Sequence, residues 1–254
     1  SNVLPDRLYR LFYETSATLC CFVSKDTHTK HREKPELKLE HGNAFQALGQ
    51  FNPTRDLTKD RIVRHLVWNR KSDPSSFISA FNHIDHARRR ADFHYRQSQR
   101  IGQRVSVAEI DSTGLIAATV HRTIKETTRI FRDGKLKSKT EKSRDIQIPI
   151  WVRENARPSD HSPITKKQLI ASGADIWLSI TELRHSDLRI GYGKGHDYEW
   201  LAGGSIPSTR ILRVMPYDGR TLHERPGSPG SGFVKSLDSP LPWTFDWEAK
   251  MWQL

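Results

Sequence analysis

"GHDYEWLAGGSIPSTRIL", residues 195–212, sets two carboxylates, Asp197 and Glu199, one residue apart and just ahead of a glycine pair. In an extended strand alternate side chains share a face, so Asp197 and Glu199 point one way and Tyr198 and Trp200 the other. Their Cα atoms then lie about 7 Å apart. Two carboxylates at that separation suit cleavage of a glycosidic bond, one stabilising a developing sugar cation while the other handles the incoming nucleophile. The competing reading is a solvent-facing strand edge with two ordinary acids.

The acids stand out because the chain around them is basic. Among 254 residues, 41 Lys and Arg face 29 Asp and Glu, for a formal charge of +12. Such a chain is drawn to polyanions: nucleic acid, an anionic membrane surface or a phosphate-bearing ligand; a soluble protein with a basic bias fits the charge equally well. Seven Trp, ten Phe and six Tyr are more aromatic mass than a disordered chain carries, so a folded chain with long polar loops is expected. The length allows one large domain or two small ones. The two cysteines, Cys20 and Cys21, are adjacent, which excludes a disulfide scaffold. That favours a reducing compartment, cytoplasm or nucleus, with a secreted effector left open. No apolar run is long enough to span a membrane and no signal-peptide core is present. A monomer is expected. The opening Ser1-Asn2 resembles a cloning scar, and the chain is compatible with one domain cut from a longer protein.

Outward from the opening stretch, "LYRLFY" (8–13) and "SFISAF" (76–81) read as short strands, and Ser24–Pro53 as a long surface loop. Thr58 caps a helix whose stripe is Ile62, Val63, Leu66 and Val67. Asn82 starts a second helix with Ile84, Ala87, Ala91 and Tyr95 inward and Arg88, Arg89, Arg90 and Arg96 mainly outward. "RVSVAEIDSTGLI" is a strand ending in a turn, and Asp-Gly inside "RIFRDGKLK" signals a hairpin. "IPIWV" is a further strand, Thr165 caps a short helix, and "ADIWLSITEL" is ambiguous between strand and helix. "RPGSPGSG" (225–232) is a linker, and Trp243, Trp247 and Met251 fall at helical spacing in a tail expected to pack back. The domain boundaries are therefore 1–218 for the main domain and 219–254 for the linker and Trp-rich segment.

Three separated blocks resemble the cholera-toxin-like, Arg-Ser-Glu branch of the ADP-ribosyltransferases. "LYR" (8–10) resembles the first, an Arg on the opening strand; "SFISAF" resembles the second; and "DYEWLAGGSIP" (197–207) resembles the third, a carboxylate or amide two residues before a Glu, then a Gly-Gly-Ile-Pro-like turn. "AEIDSTGL" (108–115) is similar to a strand and turn of these enzymes and of related fungal domains. The blocks follow the family's order across residues 8 to 214.

The resemblance implies an α+β fold, a split β-sandwich of two small facing sheets with flanking helices around an NAD cleft. It implies NAD as substrate, with no metal, and transfer of ADP-ribose to a macromolecular acceptor, protein or nucleic acid, or to water. Arg10 would bind phosphate or the adjoining ribose, Glu199 would stabilise the oxocarbenium-like state, and Ser79 would orient Glu199. Tyr9 or Phe81 would flank the nicotinamide, and Asp197 would position or deprotonate the acceptor. Two departures bear on this: Ser79-Ala80-Phe81 stands where the family has Ser-Thr-Ser, and Asp197 stands where it has Glu or Gln. The alternative is an inactive relative that binds nucleic acid or a protein.

Elsewhere, His28 with His31 and His83 with His86 lack the company of a zinc site. "GYGKG" (191–195) lacks phosphate-loop order. Arg88, Arg89, Arg90, Lys135, Lys137 and Lys139 are candidate phosphate contacts, giving salt-sensitive binding without base readout. Aromatics interleaved for base stacking are not expected among them.

Overall fold

Residues 3–14, 16–23, 37–67, 74–97, 103–153, 164–171, 175–191, 193, 195–227 and 232–254 are described by the computed structural model. The elements run β1 (Arg7–Phe12), β2 (Thr18–Cys20), β3 (Asn43–Ala47), α1 (Pro53–Asp56), α2 (Lys59–Leu66), β4 (Phe77–Phe81), α3 (Ile84–Gln97) and β5 (Val105–Asp111). Then follow β6 (Leu115–Arg132), β7 (Lys135–Arg153), α4 (Lys166–Ala171), β8 (Ile176–Ser179), α5 (Ile180–His185), β9 (Glu199–Gly203), β10 (Ser205–Pro207) and β11 (Ile211–Tyr217). The chain closes with β12 (Val234–Lys235), β13 (Thr244–Asp246) and β14 (Met251–Gln253).

The fold is mostly β, and it corrects the expected α+β split sandwich of two small facing sheets. One antiparallel sheet of eight strands runs β11-β5-β1-β4-β9-β8-β7-β6, beside two three-stranded sheets, β10-β3-β2 and β12-β13-β14. Strand pairing is the reason. The Tyr9–Phe81 pair joins the β11-β5-β1 half to β4 and β9, and the Trp151–Trp177 and Val152–Ile176 pairs then extend the same sheet through β8 into the β6–β7 hairpin. A one-pair junction is narrow, so β1 and β4 diverge on either side of it.

Several local expectations meet their elements. Thr58 accepts from the Arg61 N–H and caps α2, and Asp133-Gly134 turns the hairpin with φ of 51° and 70°, the left-handed pair that an Asp-Gly hairpin needs. The ambiguous "ADIWLSITEL" divides: Ile176–Ser179 is strand, and the Ser179 hydroxyl then accepts from the Glu182 N–H to start α5. The polar stretch expected as a loop instead supplies β3, whose Phe45 is fully buried; residues 24–36 lie outside the described part. The tail is strand rather than helix at Thr244–Asp246 and Met251–Gln253, since Phe245 pairs with Trp252 across β13 and β14. It packs back on the main core through Phe245, Trp247 and Trp252, while Arg104 stacks 3.9 Å from the Trp243 ring centre and bonds Glu14 at 2.8 Å.

The glycine pair after Glu199 lets the chain leave the large sheet. A Cβ on Gly203 would meet the Phe51 ring at 2.9 Å, and Gly204 has φ of +80°. Gly49 is tighter still: a Cβ there would sit 2.5 Å from the Pro74 carbonyl oxygen, where the Gly49 N–H bonds the Ser75 carbonyl at 2.9 Å. Gly49→Ala is expected to cost about 1–3 kcal/mol by forcing that backbone apart. Urea or thermal unfolding checks it, and a change below about 0.5 kcal/mol contradicts the contact.

Candidate active site

Neighbouring strands β1, β4 and β9 bring Arg10, Ser79 and Glu199 together. Phe81 pairs with Glu199 and Ser79 with Leu201, so Ser79 and Glu199 are diagonal neighbours on one face, within reach of each other's side chains. The Arg10 guanidinium spans the β1–β4 junction: one Nη donates to the Ser79 carbonyl at 2.7 Å and the other to the Thr18 hydroxyl at 2.9 Å. Burial pulls its pKa down to about 10, against the opposing pull of Tyr13, Cys20 and Glu199, so it stays charged at neutral pH. These two bonds use one N–H of each Nη, and the second N–H of each Nη and the Nε–H remain beyond them. As it stands, Arg10 holds the backbone that carries Ser79, and its buried Nε is without a hydrogen-bond partner among the described residues.

Glu199 is 5% exposed. Burial alone would raise its pKa, but hydrogen bonds from His196 and Ser79 and the nearby His65 outweigh it, and the net shift is downward. An ionised carboxylate only accepts, which fixes the protons around it. His196 Nδ1–H donates to Glu199 Oε2, and the Ser79 hydroxyl donates to Glu199. The Ser79 oxygen then accepts from His65 Nε2–H at 2.8 Å, and His65 Nδ1 accepts from the Ser75 hydroxyl at 2.6 Å. Ser75 itself accepts the Phe77 N–H at 3.1 Å. The donors in the chain Ser75, His65, Ser79, Glu199, His196 thus converge on Glu199 from both sides, with no donor facing a donor.

That polarity decides what the cluster can do. A nucleophilic serine needs its own proton to go to the histidine; here the Ser79 proton points at Glu199. Removal from water also lowers the His65 pKa to about 4, leaving a weak base. A fixed anion with its lone pairs aimed by two donors is instead suited to stabilising a positive centre.

The structure places the remaining candidates as follows. Asp197 is in a turn, not in the strand, so the alternation expected of the two acids does not hold: its carboxylate bonds Arg184 on α5 and is about half exposed, and its carbonyl accepts from the Thr181 hydroxyl at 2.8 Å. Phe81 is buried against α3 on the Glu199 face. Tyr9 packs in the same cluster, with its hydroxyl in the field of Glu109, Arg213 and Arg7, and that hydroxyl's pKa is raised chiefly by burial. Of the α3 arginines, Arg88 and Arg89 are exposed, whereas Arg90 is half buried and turned toward His86 and His94. Lys135, Lys137 and Lys139 are exposed on the β6–β7 hairpin, a different element.

Four side chains were not legible as site residues. His65 sits at the edge of an apolar helical stripe, and His196 reaches Glu199 only because residues 196–199 form one turn, with Gly193 leaving room for the ring. The His86 ring lies 4.7 Å from Phe81 and 5.3 Å from Tyr198, and its buried Nε2 is without a hydrogen-bond partner among the described residues. Tyr198, 42% exposed, is the accessible aromatic beside Glu199. Among the described residues no three His, Cys, Asp or Glu side chains are arranged for a metal ion; His28, His31, Tyr192 and Lys194 lie outside those residues. No family model, curated protein or solved structure matches the chain.

A neutral His65 has a consequence for stability. Its folded pKa of about 4 lies below the ordinary 6.5, so between those values the unfolded chain binds more protons. The stabilisation from His65 is complete above pH 6.5 and is lost as pH falls toward 4. The stability gap between wild type and His65→Asn is therefore expected to narrow over that window in unfolding experiments, and a constant gap contradicts a neutral His65. Nitrogen NMR is expected to show the Nε2–H tautomer.

Proposed function

We propose that the chain cleaves the nicotinamide–ribose bond of NAD and passes ADP-ribose to a macromolecule, protein or nucleic acid, or to water. The observation that carries this is the buried, ionised Glu199, held by Ser79 and His196 beside an aromatic side chain that solvent can reach. The three-block resemblance supplies the substrate; the site supplies a reason for the chemistry.

NAD's nicotinamide ring enters as a cationic leaving group. Its C1′–N bond breaks with the electron pair going to the ring, which departs neutral, and positive charge builds on C1′ and the ribose ring oxygen. Glu199 stabilises that charge, and the donors that keep it ionised also keep it from rotating away. Tyr198 and His86 offer ring faces to the nicotinamide, and His86 Nε2 and Arg10 Nε, without hydrogen-bond partners among the described residues, are polar groups left for the substrate. The acceptor then forms a new bond to C1′ and gives up a proton. Asp197, on the exposed turn leading to Glu199, takes it directly or through water. This assigns acceptor work to Asp197 without making it a second arm of the cation site.

Purified chain is expected to release nicotinamide from NAD, and Glu199→Gln is expected to reduce this at least about a hundredfold with folding retained. Ser79→Ala falls between the two. With labelled NAD and a lysate, label is expected on protein or nucleic acid, and Asp197→Asn depresses that transfer more than it depresses nicotinamide release. Folded wild type that releases no nicotinamide with lysate present overturns the proposal and favours a module that only binds.

A further inference from the structure

The outer part of the β6–β7 hairpin is exposed on both strands from Lys125 to Asp145, about 25 Å of two-stranded ribbon. Its charge is unevenly spread. Over 122–128 and 140–145, four cations meet three acids, and the cations there include Arg144, which bonds Glu126 at 3.0 Å and lies 3.8 Å from Asp187. Between 129 and 139, five cations meet one acid, Asp133. Lys139 pairs with Glu141 at 2.7 Å, but among the described residues Arg129, Arg132, Lys135 and Lys137 have no ion pair. The register even sets Arg129 opposite Lys139 and Arg132 opposite Lys135, like charges that repel.

The same tip exposes Ile130, Phe131 and Leu136, each by half or more, with Phe131 and Leu136 facing each other across the ribbon. An aromatic is therefore interleaved with the cations here, contrary to expectation. Water alone does not reward that combination. A groove-bound ribbon on a nucleic acid would carry its cations along the whole contact length; here cations and apolar side chains are gathered at the end, as suits insertion of a tip into a charged interface.

We propose that the hairpin tip docks on an anionic lipid surface. Arg129, Arg132, Lys135 and Lys137 meet the headgroup charges, and Ile130, Phe131 and Leu136 enter the interfacial layer between them. This does not depend on the chemistry at Glu199, which lies on a different strand.

Wild-type chain is expected to co-sediment with vesicles of equimolar phosphatidylcholine and phosphatidylserine, far less with phosphatidylcholine alone, and to be released by salt. The quadruple variant R129Q/R132Q/K135Q/K137Q is expected to weaken binding on the order of a thousandfold, at about 1 kcal/mol per cation. F131S/L136S weakens it with every charge kept, and Phe131→Trp adds emission that acyl-brominated lipid quenches. All these side chains are exposed, so an unchanged melting curve is expected of each variant. Equal vesicle binding by wild type and the quadruple variant overturns the proposal. So does binding to duplex DNA, lost in that variant, by a chain that ignores vesicles.

Discussion

A carboxylate that is nearly closed off from water and still ionised constrains everything around it. Desolvation pushes Glu199 toward neutrality, and the opposing hydrogen bonds must come from groups whose positions are set elsewhere. Ser79 is fixed by β4 and by the Arg10 contact to its own carbonyl. His196 is fixed by the turn that ends at Glu199, and His65 by α2 together with Ser75. Loss of Ser79 leaves Glu199 short of a donor and the His65 Nε2–H short of its acceptor at once.

The sheet supplies the precision. Strand register decides that Ser79 and Glu199 are diagonal neighbours, and a slip of one residue would send Glu199 into the opposite face with Trp200 and Ala202. At the narrow β1–β4 junction the Arg10 guanidinium ties β1 to the Ser79 carbonyl of β4 and to Thr18 of β2. Gly49 matters for the same reason: it seats the Pro74–Ser75 backbone from which the His65 hydrogen bond begins.

Arg10, Ser79 and Glu199 were singled out by the three-block resemblance, whereas local pattern marked only the strands around 8–13 and 76–81; it is the pairing of β1, β4 and β9 that makes the three neighbours. The size of the sheet was not legible: strand pairing between Tyr9 and Phe81, or Trp151 and Trp177, is a long-range choice with no local mark. Asp197 was misplaced because alternation was extended two residues past the start of β9, where a turn and the Arg184 contact take over. His65 and His196 were invisible for a different reason. A histidine on a helix or in a glycine-rich turn carries no signal until its partner is known. The tail packs back as its aromatic residues suggest, but the helical spacing of Trp243, Trp247 and Met251 does not set its form, because packing Phe245 into the core and pairing it with Trp252 selects strand.

The arrangement makes one demand that a structure can meet or fail. Crystals of the chain with a carbocyclic, uncleavable NAD analogue should place the nicotinamide end of the sugar ring against the Glu199 carboxylate, with the base beside Tyr198 and His86. An analogue bound with that ring away from Glu199, or a Glu199 still sealed behind His196 while the analogue sits elsewhere, would contradict the assignment of this carboxylate to a sugar cation.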